Sequence, residues 1–65
     1  MTYEEFVWAV ANLFGFMEDE KVRMEEEHEA MIMGERAEGN SPLYVANVLL
    51  ESGYVTKVEY YELTG

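Results

Sequence analysis

Apolar positions in this chain fall into three groups separated by one long polar stretch. The first, "FVWAVANLFGFM" (residues 6–17), has Asn12 as its only polar side chain. Thr2 followed by Glu5 forms a capping box ahead of it, in which a hydroxyl and a carboxylate satisfy the free N–H groups of a helix start. The spacing predicts a helix over 3–17. At 100° per residue, Tyr3, Phe6, Val7, Val10, Leu13, Phe14 and Met17 share one face, read as core, while Glu4, Trp8, Asn12 and Gly15 share the other.

The polar stretch, "EDEKVRMEEEHEAMIMGERAEG" (residues 18–39), is rich in helix-favouring Glu, Met, Ala, Lys and Arg. Its acids point in all directions around a helical wheel and no apolar stripe emerges, which is the pattern of a helix that is solvent-bridging or only partly packed. "AMIM" is its one adhesive cluster, and Gly34 or Gly39 is placed to end it. The third group, "NSPLYVANVLLESG", is well bounded. Ser41 suits the N-cap, Pro42 the first helical position and Gly53 a left-handed stop. Leu43, Ala46 and Leu50, with Val45 and Leu49 beside them, form its predicted buried face.

The tail "YVTKVEYYELTG" reads two ways. Tyr54, Thr56, Val58 and Tyr60 alternate as in a strand, whereas Thr56 and Glu59 form a second capping box. A lone strand needs a partner, so the tail is either a short fourth helix or a strand that pairs with its own copy across a homodimer. The expected fold class is therefore all-α, a single small three-helix domain over 1–65 with a short C-terminal tail; the alternative is α+β with the tail as a dimer strand.

Charge changes the picture most. Fourteen Asp and Glu against four Lys and Arg leave a net −10 over 65 residues, a balance that repels nucleic-acid phosphates and anionic lipid and argues against direct nucleic-acid binding. Residues 18–39 hold nine of those acids and three of the bases, a local balance of 3 − 9 = −6. A hydrophobic content of 49% and an aromatic content of 14% exceed those of a disordered acidic tail. A chain this short buries only about 60% of its unfolded surface, and without cysteine it has neither disulfides nor thiolate zinc ligation to reinforce it. Oligomerisation or a partner remains as the common remedy. The run over 6–17 is too short to span about 30 Å of hydrocarbon, and Glu4 and Glu5 precede it where a signal peptide carries Lys or Arg. Neither a targeting segment nor a membrane span is expected, and a cytoplasmic location is.

Candidate chemistry is sparse. Glu25 and His28 form a Glu-x-x-His pair, similar to the ligand pair of ferritin-like di-iron proteins, in which both side chains share a helix face. That site takes further carboxylates from core positions of other helices, and the pair here lies in a run of surface-type acids, so it reads as a solvated histidine without metal or other cofactor. One His, one Asp, no Cys and only Ser41 and Ser52 leave no triad to assemble, and the expectation is no enzymatic activity. The stretch "LLESGYVTKVEYYELTG", with Gly53 in the turn, loosely resembles a helix-turn-helix without its recognition helix, a packing resemblance that the acidity turns away from DNA.

Surfaces remain. Nine acids over 22 residues, at about 1.5 Å rise, give one carboxylate per roughly 3.7 Å, near the 3.4 Å phosphate spacing of a DNA strand. Trp8, beside Asn12, sits off the core face as an interface anchor does, or packs on the acidic helix of its own chain. The candidate partner-binding residues are Trp8, Asn12, Glu18, Asp19, Glu20, Glu25, Glu26, Glu27 and Glu29. In size, charge and lack of enzymatic motifs the chain resembles the small acidic inhibitors that phages and mobile elements direct against nucleases, including anti-CRISPR proteins and DNA mimics. That resemblance implies a larger basic partner, such as a nucleic-acid-binding complex. A self-associating structural or assembly protein, with the acidic helix as a solvated face, is the competing expectation.

Overall fold

The computed structural model describes residues 1–53. It is an all-α domain of three helices: α1 (Tyr3–Phe14), α2 (Glu18–Ala37) and α3 (Pro42–Glu51). The two readings of the tail, and its capping box, lie outside the described residues.

The capping signals produce the predicted starts. Thr2 Oγ1 accepts from the Glu5 N–H at 3.2 Å and the Thr2 N–H donates to Glu5 Oε1 at 2.8 Å. Ser41 Oγ accepts from the Tyr44 N–H at 3.1 Å, with Pro42 in the first turn of α3. The helix predicted over 3–17 ends three residues earlier, at Phe14. Gly15, with φ 75°, turns the chain left-handed; its N–H donates to the Asn12 carbonyl at 3.1 Å and the Phe16 N–H to the Ala11 carbonyl at 3.0 Å. This is a Schellman turn, which folds the residue after the glycine back over the last helical turn. Phe16 is thereby buried, its ring centroid 5.1 Å from that of Phe14, and Met17 is carried out to 75% exposure. The core positions assigned to Leu13 and Met17 are corrected accordingly, and Ala11 and Phe16 take their place. α2 ends the same way: Gly39, at φ 85°, donates to the Arg36 carbonyl and Asn40 to that of Glu35.

α1 is the central element and packs on both α2 and α3. Phe6, Val7, Val10, Ala11 and Phe14 of α1 meet Met24 and Ile32 of α2 and Val45, Ala46 and Leu49 of α3 in one core. Leu50 lies at its edge, while Leu43, expected inside, is exposed.

α2 does carry an inward stripe. Lys21, Met24, His28, Met31, Ile32 and Glu35 are its buried or half-buried positions, with Glu20 and Glu25 at the margins. A lysine, a histidine and a glutamate interrupt the stripe, which is why a hydrophobic wheel missed it. The helix is also kinked at His28 (φ −130°, ψ 22°), so its two halves need not share one continuous face.

Candidate docking surface on the acidic helix

Where the structure places the predicted residues divides them in two. Glu20 and Glu25 serve the fold. Glu20 Oε2 accepts from the Met17 N–H at 2.9 Å and so caps α2. Glu25 accepts from Lys21 Nζ at 3.1 Å, one turn away on α2, and Lys21 also binds Glu4 of α1. The Lys21 side chain is only 6% exposed, and its ammonium lies 5.3 Å from the Trp8 ring centroid. Trp8 is half-buried against α2 of its own chain, the second of the two readings given for it above.

A four-residue junction results. Glu4 and Trp8, one turn apart on α1, face Lys21 and Glu25, one turn apart on α2, so that a buried ammonium meets two carboxylates and an aromatic face. No sequence signal marked Lys21, because a lysine amid acids reads as a solvated residue. Position on the inward stripe, at three and seven residues before Met24 and His28, was the available clue.

Tyr3 is the neighbour of two of these four residues, Glu25 and Glu4. Its hydroxyl is buried on the side of the Glu25 carboxylate, with Glu29 and Glu4 further off. Burial, then the negative charge of Glu25 and Glu29, raises its pKa above the ordinary 10.0. The hydrogen bond to Glu4 raises that of Lys21 above 10.5, against an opposing effect of burial. In both cases the folded chain holds a proton that the unfolded chain releases first. Their stabilisation is thus complete below pH 10 and is lost as pH rises through the higher folded values. The melting temperature followed by circular dichroism from pH 8 to pH 11 is expected to fall above pH 10. Tyr3→Phe combined with Lys21→Met flattens that decline; an unchanged decline would assign it to other groups.

The remaining predicted residues face solvent. Glu18 and Asp19 are exposed in the first turn of α2, Glu26, Glu27 and Glu29 lie near its middle, and Asn12 is exposed on α1. The carboxylates form two clusters, since Val22 and Arg23 are the exposed residues between Asp19 and Glu26, a gap of about 10 Å at helical rise. The even, phosphate-like row suggested by the spacing along the chain is therefore broken. Among the described residues no group of three acidic or histidine side chains is arranged to hold a metal ion, and no helix is long and apolar enough to cross a membrane. Comparisons with known protein families, curated proteins and solved structures give no match.

Proposed function

We propose that this chain is a small acidic binding module that docks on a basic, nucleic-acid-binding surface of a larger protein, an inhibitor of the DNA-mimic or anti-CRISPR type, acting by binding without catalysis. One observation carries the reading. The fold turns Lys21 inward and neutralises it on Glu4 and Glu25, and leaves Glu18, Asp19, Glu26, Glu27 and Glu29 facing out from one helix. An exposed anionic helix of this kind speeds and orients encounter with a cationic groove, and its effect is screened by salt. Such a partner belongs to the cytoplasm of the cell in which the chain is made. A homodimer built on Trp8 would have to share the ring with Lys21.

The test is capture of partners by the immobilised chain from a cell extract, with identification of what is retained. Nucleic-acid-binding proteins are expected, eluting between 0.1 and 0.5 M salt (about 10 to 4 Å screening length) and displaced by double-stranded DNA. Reversal of Glu26, Glu27 and Glu29 to Lys abolishes the capture. Glu25 is left intact because its loss would disturb Lys21. Retention that ignores both the reversal and the DNA competitor overturns the proposal.

A further inference from the structure

Past the kink at His28, α2 sends Ile32 inward, with Met31 and Glu35 half-buried beside it. On the far side Ala30, Met33, Gly34 and Ala37 are all exposed. Their spacing, i, i+3, i+4 and i+7, places them on one face of the helix over about 10 Å. It is the spacing by which one helix packs on another, and a solvated helix would carry polar residues there. Met33 is 51% exposed.

Gly34 gives this face its shape. It sits inside the helix without a left-handed φ, and a Cβ built there would meet nothing within 4 Å. Glycine in a helix interior costs about 1 kcal/mol relative to alanine. Among the described residues nothing requires the bare backbone, whereas close approach of another chain would. Charge then selects the occupant. Glu29 borders one edge of the face and Glu38 the other, with Glu26 and Glu27 a turn earlier, all exposed. The nearby Arg36 guanidinium keeps its charge but is turned toward the N-terminus, where it donates to the Met1 carbonyl at 3.0 Å. A second copy packed antiparallel about Met33 and Gly34 would set Glu29 of each chain against Glu38 of the other, like charge on like.

We propose that this face receives a basic amphipathic helix of another protein, its apolar ridge over Gly34 beside Met33 and its flanking Lys and Arg against Glu26, Glu29 and Glu38. The proposal rests on the anionic docking reading above and states which side of α2 makes the contact and what it contacts.

The experiment titrates the isotope-labelled full chain with three synthetic peptides and follows amide shifts. One peptide carries a leucine ridge flanked by lysines, one the same ridge flanked by glutamates, and one the lysine peptide with its ridge scrambled. Only the first is expected to bind, with shifts centred on Ala30, Met33, Gly34 and Ala37. Gly34→Leu, whose Cβ meets nothing within 4 Å, and Met33→Gln each weaken that binding about tenfold or more. The melting temperature of Gly34→Leu stays unchanged or rises.

Equal binding of the scrambled peptide, or shifts centred on Leu43 and Tyr44 or on Leu13 and Met17, overturns the inference. So does a dimeric mass that Gly34→Leu abolishes, or contact of residues 54–65 with this face in the free chain. If Gly34→Leu leaves binding intact while reversal of Glu26, Glu27 and Glu29 abolishes it, this inference fails and the anionic reading stands. If no lysine peptide binds at all, both fall.

Discussion

Phe14→Ala is expected to leave the chain unfolded at room temperature. Phe14 is fully buried at the end of α1, where it packs on Phe16 and closes the Schellman turn that brings Phe16 inward. Deleting a buried phenylalanine ring costs about 3–5 kcal/mol. A single core in a chain of this size supplies about that much in total. Loss of Phe14 also uncovers Phe16, so the cavity reaches into the turn itself. Leu13→Ala, one position earlier, is the matched control: Leu13 is 40% exposed and its truncation costs less than about 1 kcal/mol. Far-UV circular dichroism with urea titration distinguishes the two. A cooperative native baseline for Phe14→Ala would mean that the core is larger than the described helices provide, and residues 54–65 would then be the place to look for the rest.

The contrast between Leu13 and Phe14 shows how far the chain could be read in advance. The starts of α1 and α3 were legible because they rest on local chemistry, a Thr–Glu pair three residues apart or a Ser-Pro step, that works within one turn of backbone. The all-α class followed from the same signals. Ends were less legible. An unbroken helical phase carried Leu13 and Met17 into the core, but a left-handed Gly15 resets the phase, and the residue folded inward is Phe16. Gly15 was placed on the wheel as one more position of the polar face.

The acidic helix failed as a pattern for a different reason. Its inward stripe is real but is built from Lys21, Met24, His28, Ile32 and Glu35, and an apolar count cannot see a buried lysine whose partners lie partly on another helix. The same ignorance affected the candidate surface. Trp8 and Glu25 were grouped with the free acids, yet they belong with Glu4 around Lys21. The face of Ala30, Met33, Gly34 and Ala37 was hidden because the helix end was left open between Gly34 and Gly39; only once α2 is known to continue to Ala37 does Gly34 become a helical glycine on a solvent face.

Lys21 makes the last argument quantitative. Lys21→Glu is expected to unfold the chain, or to bring it within about 1 kcal/mol of unfolding, because it sets a third carboxylate against Glu4 and Glu25 at a position with little access to water. Breaking a buried charge pair costs about 3–5 kcal/mol before the new repulsion is added. The 59% exposure of the Glu4 side chain moderates this, since that carboxylate can turn to solvent; the Glu25 side chain, 21% exposed, has less freedom. Lys21→Met is expected to be tolerated within about 1 kcal/mol, because the methionine keeps most of the lysine stem against Trp8 and removes a charge whose desolvation offsets much of its pairing. The pair of variants therefore separates two roles. If Met and Glu are equally damaging in urea titration, the ammonium itself holds α2 on α1 and the ion pairs contribute net stability. If Met is tolerated and Glu is not, the stem does the packing and the charge sets orientation: it draws the Glu4 and Glu25 carboxylates onto itself as partners, while Glu26, Glu27 and Glu29 are left to face the solvent. The second outcome is the one expected, and it would make the stripped methionine variant one unit more acidic with the fold intact, a chain whose capture of basic partners should be retained or strengthened at low salt.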